Sequence, residues 1–419
     1  MCWPMRSRWQ RLSLLLVLVA VMASGCLRRC VPASLTQNCE LVDLSKNSCD
    51  RVSFDPALPH ELAEEARKRI EQRQTDHRPL QSLVLSGGGV YGAFGIGVLN
   101  GWTESGRRPE FDIVTGISTG ALMATFAFLG PSHDAFLANN ILEEGDRRDL
   151  MLRLPLVLVP FADAIYTSRP LARQIRRSFT PEILRDVAAA HAAGRRLYVG
   201  TTNLDERRLV IWDMGAIASQ GTPESLELYR DVIRASSAVP VALPAVHIPV
   251  EINGRRFSEM HVDGGVSEEL LFRPSMLAEQ NRLAGHPGPW APRGSLLHII
   301  DNGKLYADTN CVKPRLLSIL SATAATVLYG KTREEVRRIY TECLLTGMEF
   351  RLTSVPQDLP VGRDALRLTR DDRERLYEAG RTVGREAGVG PHWDLLPPNA
   401  DSTDRGAPRT GARFHAIRN

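Results

Sequence analysis

Phe111–Phe126 reads FDIVTGISTGALMATF: an apolar strand-like run (Phe111 to Thr115), a Gly-x-Ser-x-Gly turn (Gly116 to Gly120) and an apolar helix-like run continuing to about Leu129. A short apolar run bounded by glycine suits a buried strand, and the longer run suits a helix. Gly116 and Gly120 lack Cβ atoms, so the chain can turn sharply and lift Ser118 to the start of the helix with its hydroxyl accessible. Ser118 is therefore a candidate nucleophile for acyl transfer. Taken alone, the same five residues also describe a serine N-cap between two glycines.

Upstream, the apolar run Ser82 to Leu85 leads into Ser86-Gly87-Gly88-Gly89-Val90-Tyr91-Gly92 and then the helix-like Ala93 to Trp102. Strand, glycine loop, helix, strand, turn, helix is the rhythm of a parallel α/β sheet. Further strands are expected at 196–202, 209–212, 245–250 and 296–300, with helices near 223–236, 314–345 and 370–386. The spacing favours one continuous domain over 78–395, with no internal repeat. Gly87 to Gly92 formally matches G-x-G-x-x-G, and Glu110 and Asp112 lie about 20 residues on, the distance of a ribose-binding acid. That acid belongs at the carboxyl end of the second strand, where this chain has Thr115-Gly116-Ile117-Ser118, so no nucleotide is expected. No Gly-Lys-Ser/Thr follows, which excludes a Walker loop. Free backbone N–H groups of Gly87, Gly88, Gly89 and Gly92 would instead suit a developing oxyanion.

A third motif, His261-Val262-Asp263-Gly264-Gly265, ends a strand on an aspartate followed by two glycines. By itself it could be a turn. Beside the other two it offers Asp263 as a base for Ser118. His247, His261 and His298 lie in or near strands, and His261 is the best placed of them for a triad, although strand histidines more often make structural bonds. Asp301-Asn302-Gly303 reads as a strand-end turn rather than a second acid. No clustered carboxylates or histidine pairs mark a metal site, and no cofactor is expected.

GGGVYG, GISTG and DGG, in that order, resemble the patatin-like phospholipase family, as does Arg234-Ala235-Ser236-Ser237-Ala238-Val239-Pro240 ahead of the aspartate. The resemblance covers roughly residues 80–345. It implies a three-layer α/β/α sandwich with a mainly parallel central sheet and a Ser–Asp dyad. Ser118 would then be the nucleophile, Asp263 the proton acceptor, and the Gly87 to Gly92 loop, chiefly Gly88 and Gly89, the oxyanion hole. Gly116 and Gly120 would form the elbow, and Gly264 and Gly265 the dyad loop. The implied activity is hydrolysis of carboxylic esters in phospholipids or related lipids through an acyl-serine, with an acyltransferase or a non-catalytic envelope lipoprotein as alternatives. One departure is Tyr91, where many members of the family carry Lys or Arg. An aspartate with an ordinary pKa near 3.9 is a weak base, so Asp263 is expected to be shielded from water.

The remaining features concern the chain as a whole. At 419 residues, 43% hydrophobic and 24% charged, the chain can bury a large core. Residues 1–25 read as a signal peptide: Arg6, Arg8 and Arg11 precede the apolar Leu12 to Met22, and Ala23-Ser24-Gly25-Cys26 resembles a lipobox. Cys26 would carry lipid and anchor an exported protein to a membrane, the outer one if the source is Gram-negative, since Leu27 is not aspartate. An ordinary signal peptide or an uncleaved anchor is the other reading. Residues 26–77 would form a tether (27–58) and a polar helix (His60 to Gln74), and 396–419 a mobile tail. Cys30, Cys39 and Cys49 could form a disulfide staple, with Cys311 and Cys343 further on. The formal charge of +4 falls to +1 without residues 1–25, and scattered arginines rather than a basic patch exclude a nucleic-acid surface. Leu150 to Ile165 is apolar but broken by Pro155 and Pro160, which suits buried core or one wall of an acyl-chain pocket.

Overall fold

Period-two alternation of buried side chains divides the sheet residues between two cores. Leu83, Leu85, Val114, Leu197 and Val199 join one core, while their neighbours Val84, Ile113 and Tyr198 join the other. A sheet buried on both faces needs helices on both, which gives three layers. The computed structural model describes residues 51–52, 78–144, 164, 166–283, 288–308, 312–362, 368–386 and 392–397. Cys26, the tether apart from Arg51 and Val52, its helix, Cys30, Cys39, Cys49, Cys311, nearly all of 150–165 and the tail from 398 lie outside the described residues.

The strands are β1 (Arg51–Val52), β2 (Gln81–Leu85), β3 (Ile113–Gly116), β4 (Arg196–Asn203), β5 (Arg208–Asp213), β6 (Val246–Ile252), β7 (Arg255–Asp263), β8 (Leu296–Asp301) and β9 (Glu349–Ser354). Their order is β1-β5-β4-β3-β2-β8-β9, with β7 also paired to β4 and β6 to β7. The run β4-β3-β2-β8-β9 is parallel. Beyond β4 every pairing is antiparallel. The sheet is thus parallel through its centre and antiparallel at one margin, where short hairpins replace helical crossovers.

The helices are α1 (Gly92–Glu104), α2 (Thr119–Leu129), α3 (Asp134–Glu144), α4 (Arg169–Ser178), α5 (Pro181–Ala192), α6 (Met214–Ser219), α7 (Pro223–Ser236), α8 (Pro274–Leu283), α9 (Leu316–Thr346) and α10 (Arg370–Arg385). Residues of α1, α2, α5, α7 and α10 fill the first core, and those of α8 and α9 the second. The contact between α1 and α10 is backbone to backbone. A Cβ built on Gly97 would lie 2.0 Å from Tyr377 O, and one on Gly380 2.0 Å from Phe94 O. Only glycine permits that approach.

Candidate active site

Ser118 sits between β3 and α2 with φ 55° and ψ −124°, a backbone conformation that costs a non-glycine residue of order 1–3 kcal/mol. The strain is held by surrounding bonds. Ser118 N–H donates to Ser236 Oγ (2.9 Å), whose hydroxyl donates to Gly200 O (2.7 Å). Gly116 and Gly120 pack against each other across the turn, and a Cβ on Gly120 would meet Leu85 O at 2.3 Å. The helix therefore starts against the end of β2, and Ser118 cannot retreat into the sheet.

Asp263 reaches the same point from the antiparallel margin. Gly116 pairs with Val199 and Asp263 with Thr201, so Ser118 lies two positions past the first of these rungs and Asp263 sits opposite the residue two positions past it on β4. Ser118 Oγ donates to Asp263 Oδ2 at 2.6 Å, while Asp263 Oδ1 accepts the N–H of Gly265 at 2.8 Å. The Arg234–Pro240 segment ties the two together: Ser236 accepts the Ser118 N–H, and Ala238 O accepts the Asp263 N–H at 3.0 Å. Burial lifts the Asp263 carboxyl from 3.8 to about 6, against the opposing bonds from Ser118 and Gly265 and the charge of Lys331. The shielding expected for a useful base is present.

The glycine loop leaves β2 and closes over this pair. Gly88 has φ 144° and faces Asn302, where a Cβ would strike the carbonyl oxygen at 2.0 Å. Asn302 fastens the loop by donating Nδ2–H to Ser86 O (2.9 Å) and accepting Gly95 N–H (3.1 Å). Thr119 Oγ1 donates to Gly89 O (2.8 Å), joining loop to elbow. A Cβ on Gly87 would come within 3.2 Å of Ser118 Cβ. Among the described residues, no acceptor takes the backbone N–H of Gly88 or Gly89. Gly92 opens α1, and Gly264 starts the short turn after Asp263. Tyr91 donates its hydroxyl to Gly362 O (2.5 Å), so no cation stands at that place.

Histidine is not part of this arrangement. His261 bonds Thr201 Oγ1 and Glu259 Oε2, His298 is buried with Trp102 and Trp393 and depressed to about 3 by burial, and His247 is exposed on β6. Asp112 holds the starts of β2 and β3, accepting from Gln81 N and pairing with Arg78. Those bonds give it a structural post rather than a ribose-binding one.

Further carboxyls surround Ser118 and Asp263: Asp301, read from the sequence as part of a strand-end turn, and Glu269 and Glu335, which the sequence does not single out. Glu269 lies between the two glycine motifs: a Cβ on Gly87 would be 2.5 Å from its Oε2, and one on Gly265 2.6 Å from its Oε1. Burial and then the charge of Asp263 raise it to about 7. Asp301, at the end of β8, receives the Ser86 hydroxyl (2.8 Å) and is raised to about 7 by burial and by Glu269 and Glu335. Glu335 on α9 accepts the N–H groups of Glu269 and Leu270, and burial raises it to about 7 as well. Lys331, one turn earlier, donates to Gly265 O (2.6 Å) and Val266 O (3.2 Å). Among the described residues no three His, Cys, Asp or Glu side chains are grouped to hold a metal ion.

The family model for patatin-like phospholipases matches residues 83–274, the stretch holding the glycine loop, Ser118 and Asp263. Over that stretch the chain carries a patatin-like phospholipase domain. No curated protein sequence matches it. Among solved structures it is similar to VipD from Legionella pneumophila, at 13% identity over 77% of this chain and 68% of that one, with a TM-score of 0.34. It is also similar to the human GIVD cytosolic phospholipase A2 (11% identity, 78% and 62% of the chains, TM-score 0.31). A third is the type III effector protein ExoU (15% identity, 75% and 53%, TM-score 0.27).

Proposed function

We propose that the protein is a serine acyl hydrolase that cleaves carboxylic esters of phospholipids or related lipids through Ser118 and Asp263. The observation that carries this reading is the 2.6 Å bond from the Ser118 hydroxyl to a buried aspartate, at a strained elbow beside unoccupied backbone donors. With its carboxyl near 6, Asp263 is mostly ionised at pH 7 yet more basic than an exposed aspartate. It takes the Ser118 proton as Oγ attacks the ester carbonyl, and the N–H groups of Gly88 and Gly89 receive the charge developing on oxygen. Collapse expels the alcohol, which takes the proton from Asp263. A water molecule then gives a proton to the same aspartate as it attacks the acyl-serine, and that proton passes to Ser118 Oγ as the fatty acid leaves.

Anchoring belongs to the same proposal. Lipid on Cys26 would hold the exported enzyme at a membrane, within reach of its substrate. The test is fatty-acid release from phospholipid vesicles by the wild type beside Ser118→Ala and Asp263→Asn variants matched for folding by circular dichroism. The proposal expects each variant to lose roughly 10³-fold or more in turnover. Turnover persisting in folded Ser118→Ala would refute the nucleophile, and a fluorophosphonate that fails to label wild-type Ser118 would count against the activity.

A further inference from the structure

α9 is two helices in character. Its C-terminal half buries Val336, Ile339 and Cys343 in the second core. Its N-terminal half does the opposite: Leu316 is 73% exposed, Leu320 55% and Val327 62%. At about 100° per residue these three share a line roughly half a turn round from the buried stripe, so they do not continue it. From Leu316 to Gly330 the helix carries no charged residue, and from Thr309 to Arg333 the chain has no acid against Lys313, Arg315, Lys331 and Arg333. Lys313 and Arg315 are exposed just before the helix begins.

The place of this surface is as telling as its composition. Lys331, directly after the uncharged stretch, is the residue that holds Gly265 O and Val266 O, and Val266 is itself 49% exposed. The apolar face therefore starts beside the Asp263 loop and runs away from it for about 22 Å at 1.5 Å per residue. That is short of the roughly 30 Å hydrocarbon core of a bilayer. Among the described residues no helix is long and apolar enough to cross a membrane. An uncharged helical face with basic residues at its start is the makeup of an element that lies in the headgroup boundary.

We propose that residues 316–328 of α9 dock into a bilayer surface containing anionic lipid and bring the cleft of Ser118 and Asp263 against it. Only the activity arm of the test rests on the acyl hydrolase reading. Hydrogen exchange is followed on the full chain with and without vesicles of phosphatidylcholine containing phosphatidylglycerol. Exchange in 316–328 should slow by ~10-fold or more on adding vesicles, and Lys313→Gln and Arg315→Gln should each raise the lipid needed for half protection roughly five-fold. In Leu320→Ser/Val327→Ser, both on exposed positions, fatty-acid release from vesicles should drop by roughly 10-fold while hydrolysis of a soluble short-chain ester stays within about two-fold. Unchanged exchange with vesicles overturns the proposal. So does protection that grows with protein concentration without lipid, which assigns the face to a second copy, or full protection before lipid is added, which assigns it to another segment of this chain. If no form hydrolyses either substrate but vesicles still protect 316–328, the acyl hydrolase reading fails and lipid docking stands.

Discussion

Asp301 keeps one carboxyl oxygen on the Ser86 hydroxyl and leaves the other, Oδ2, buried without a hydrogen-bond partner. Its carboxyl ionises near 7 in the folded protein against an ordinary 3.8, chiefly through burial. A folded-state value raised above the unfolded one means that the native protein holds the proton more tightly. Stability from this group is full below pH 3.8 and is lost as pH rises to about 7, after which the loss is constant. At about 1.4 kcal/mol per tenfold, the rise corresponds to roughly 4 kcal/mol, part of which belongs to the charges of Glu269 and Glu335. Asparagine has the same outline, can accept the Ser86 hydroxyl and never ionises. Asp301→Asn should therefore match the wild type near pH 4 and exceed it by about 2–4 kcal/mol at pH 8. Equilibrium urea unfolding followed by tryptophan fluorescence at the two pH values reads the difference. An equal gain at both, or a less stable variant at pH 8, would show that Asp301 is not held protonated by its surroundings.

Activity should have its own pH signature. Hydrolysis of a soluble ester should fall in acid with a midpoint of about 6 as Asp263 takes up its proton, and should decline again above about 7 as Glu269 ionises beside the glycine loop. Glu269→Gln should keep the acid limb and remove the alkaline one, whereas an acid midpoint near 4 would mean that Asp263 works in open solvent. Two helix glycines make a second contrast, read by thermal unfolding. Gly380→Ala forces a Cβ to within 2.0 Å of Phe94 O and should destabilise by about 1–3 kcal/mol. Gly330→Ala meets nothing within 4 Å and should stabilise by about 0.5–1 kcal/mol. Equal effects would refute the close contact of α1 with α10.

The parts of the site visible in the sequence are those whose chemistry is local. A Gly-x-Ser-x-Gly turn between apolar runs dictates its own geometry, and Ser118, Asp263 and the Gly87 to Gly92 loop meet as those motifs imply. The antiparallel margin had a signal that went unused: Asn253-Gly254 joins β6 to β7 with φ 52° and 71°, the two-residue turn that asparagine-glycine favours between strands. Glu269, Glu335 and Lys331 could not be found this way, and Asp301 is visible only as part of a strand-end turn. Along the chain they read as ordinary polar residues, and only the pairing of β8 with β2 and the bonds from α9 to residues 265–270 bring them to the site. The same holds for α9, whose apolar spacing marks a helix but not which half is covered.

The order of the strands also sets an order in time. Ser118 and Asp263 are both synthesised before β8, yet β8 lies between β2 and β9 and is followed directly by Asn302, which fastens the glycine loop. Until residue 302 has been made, β2 keeps an open edge and Gly88 lacks the partner that defines its turn. A nascent chain can thus possess Ser118 and Asp263 while the glycine loop beside them is still unfastened. On the proposed function, the site is therefore completed only late in synthesis.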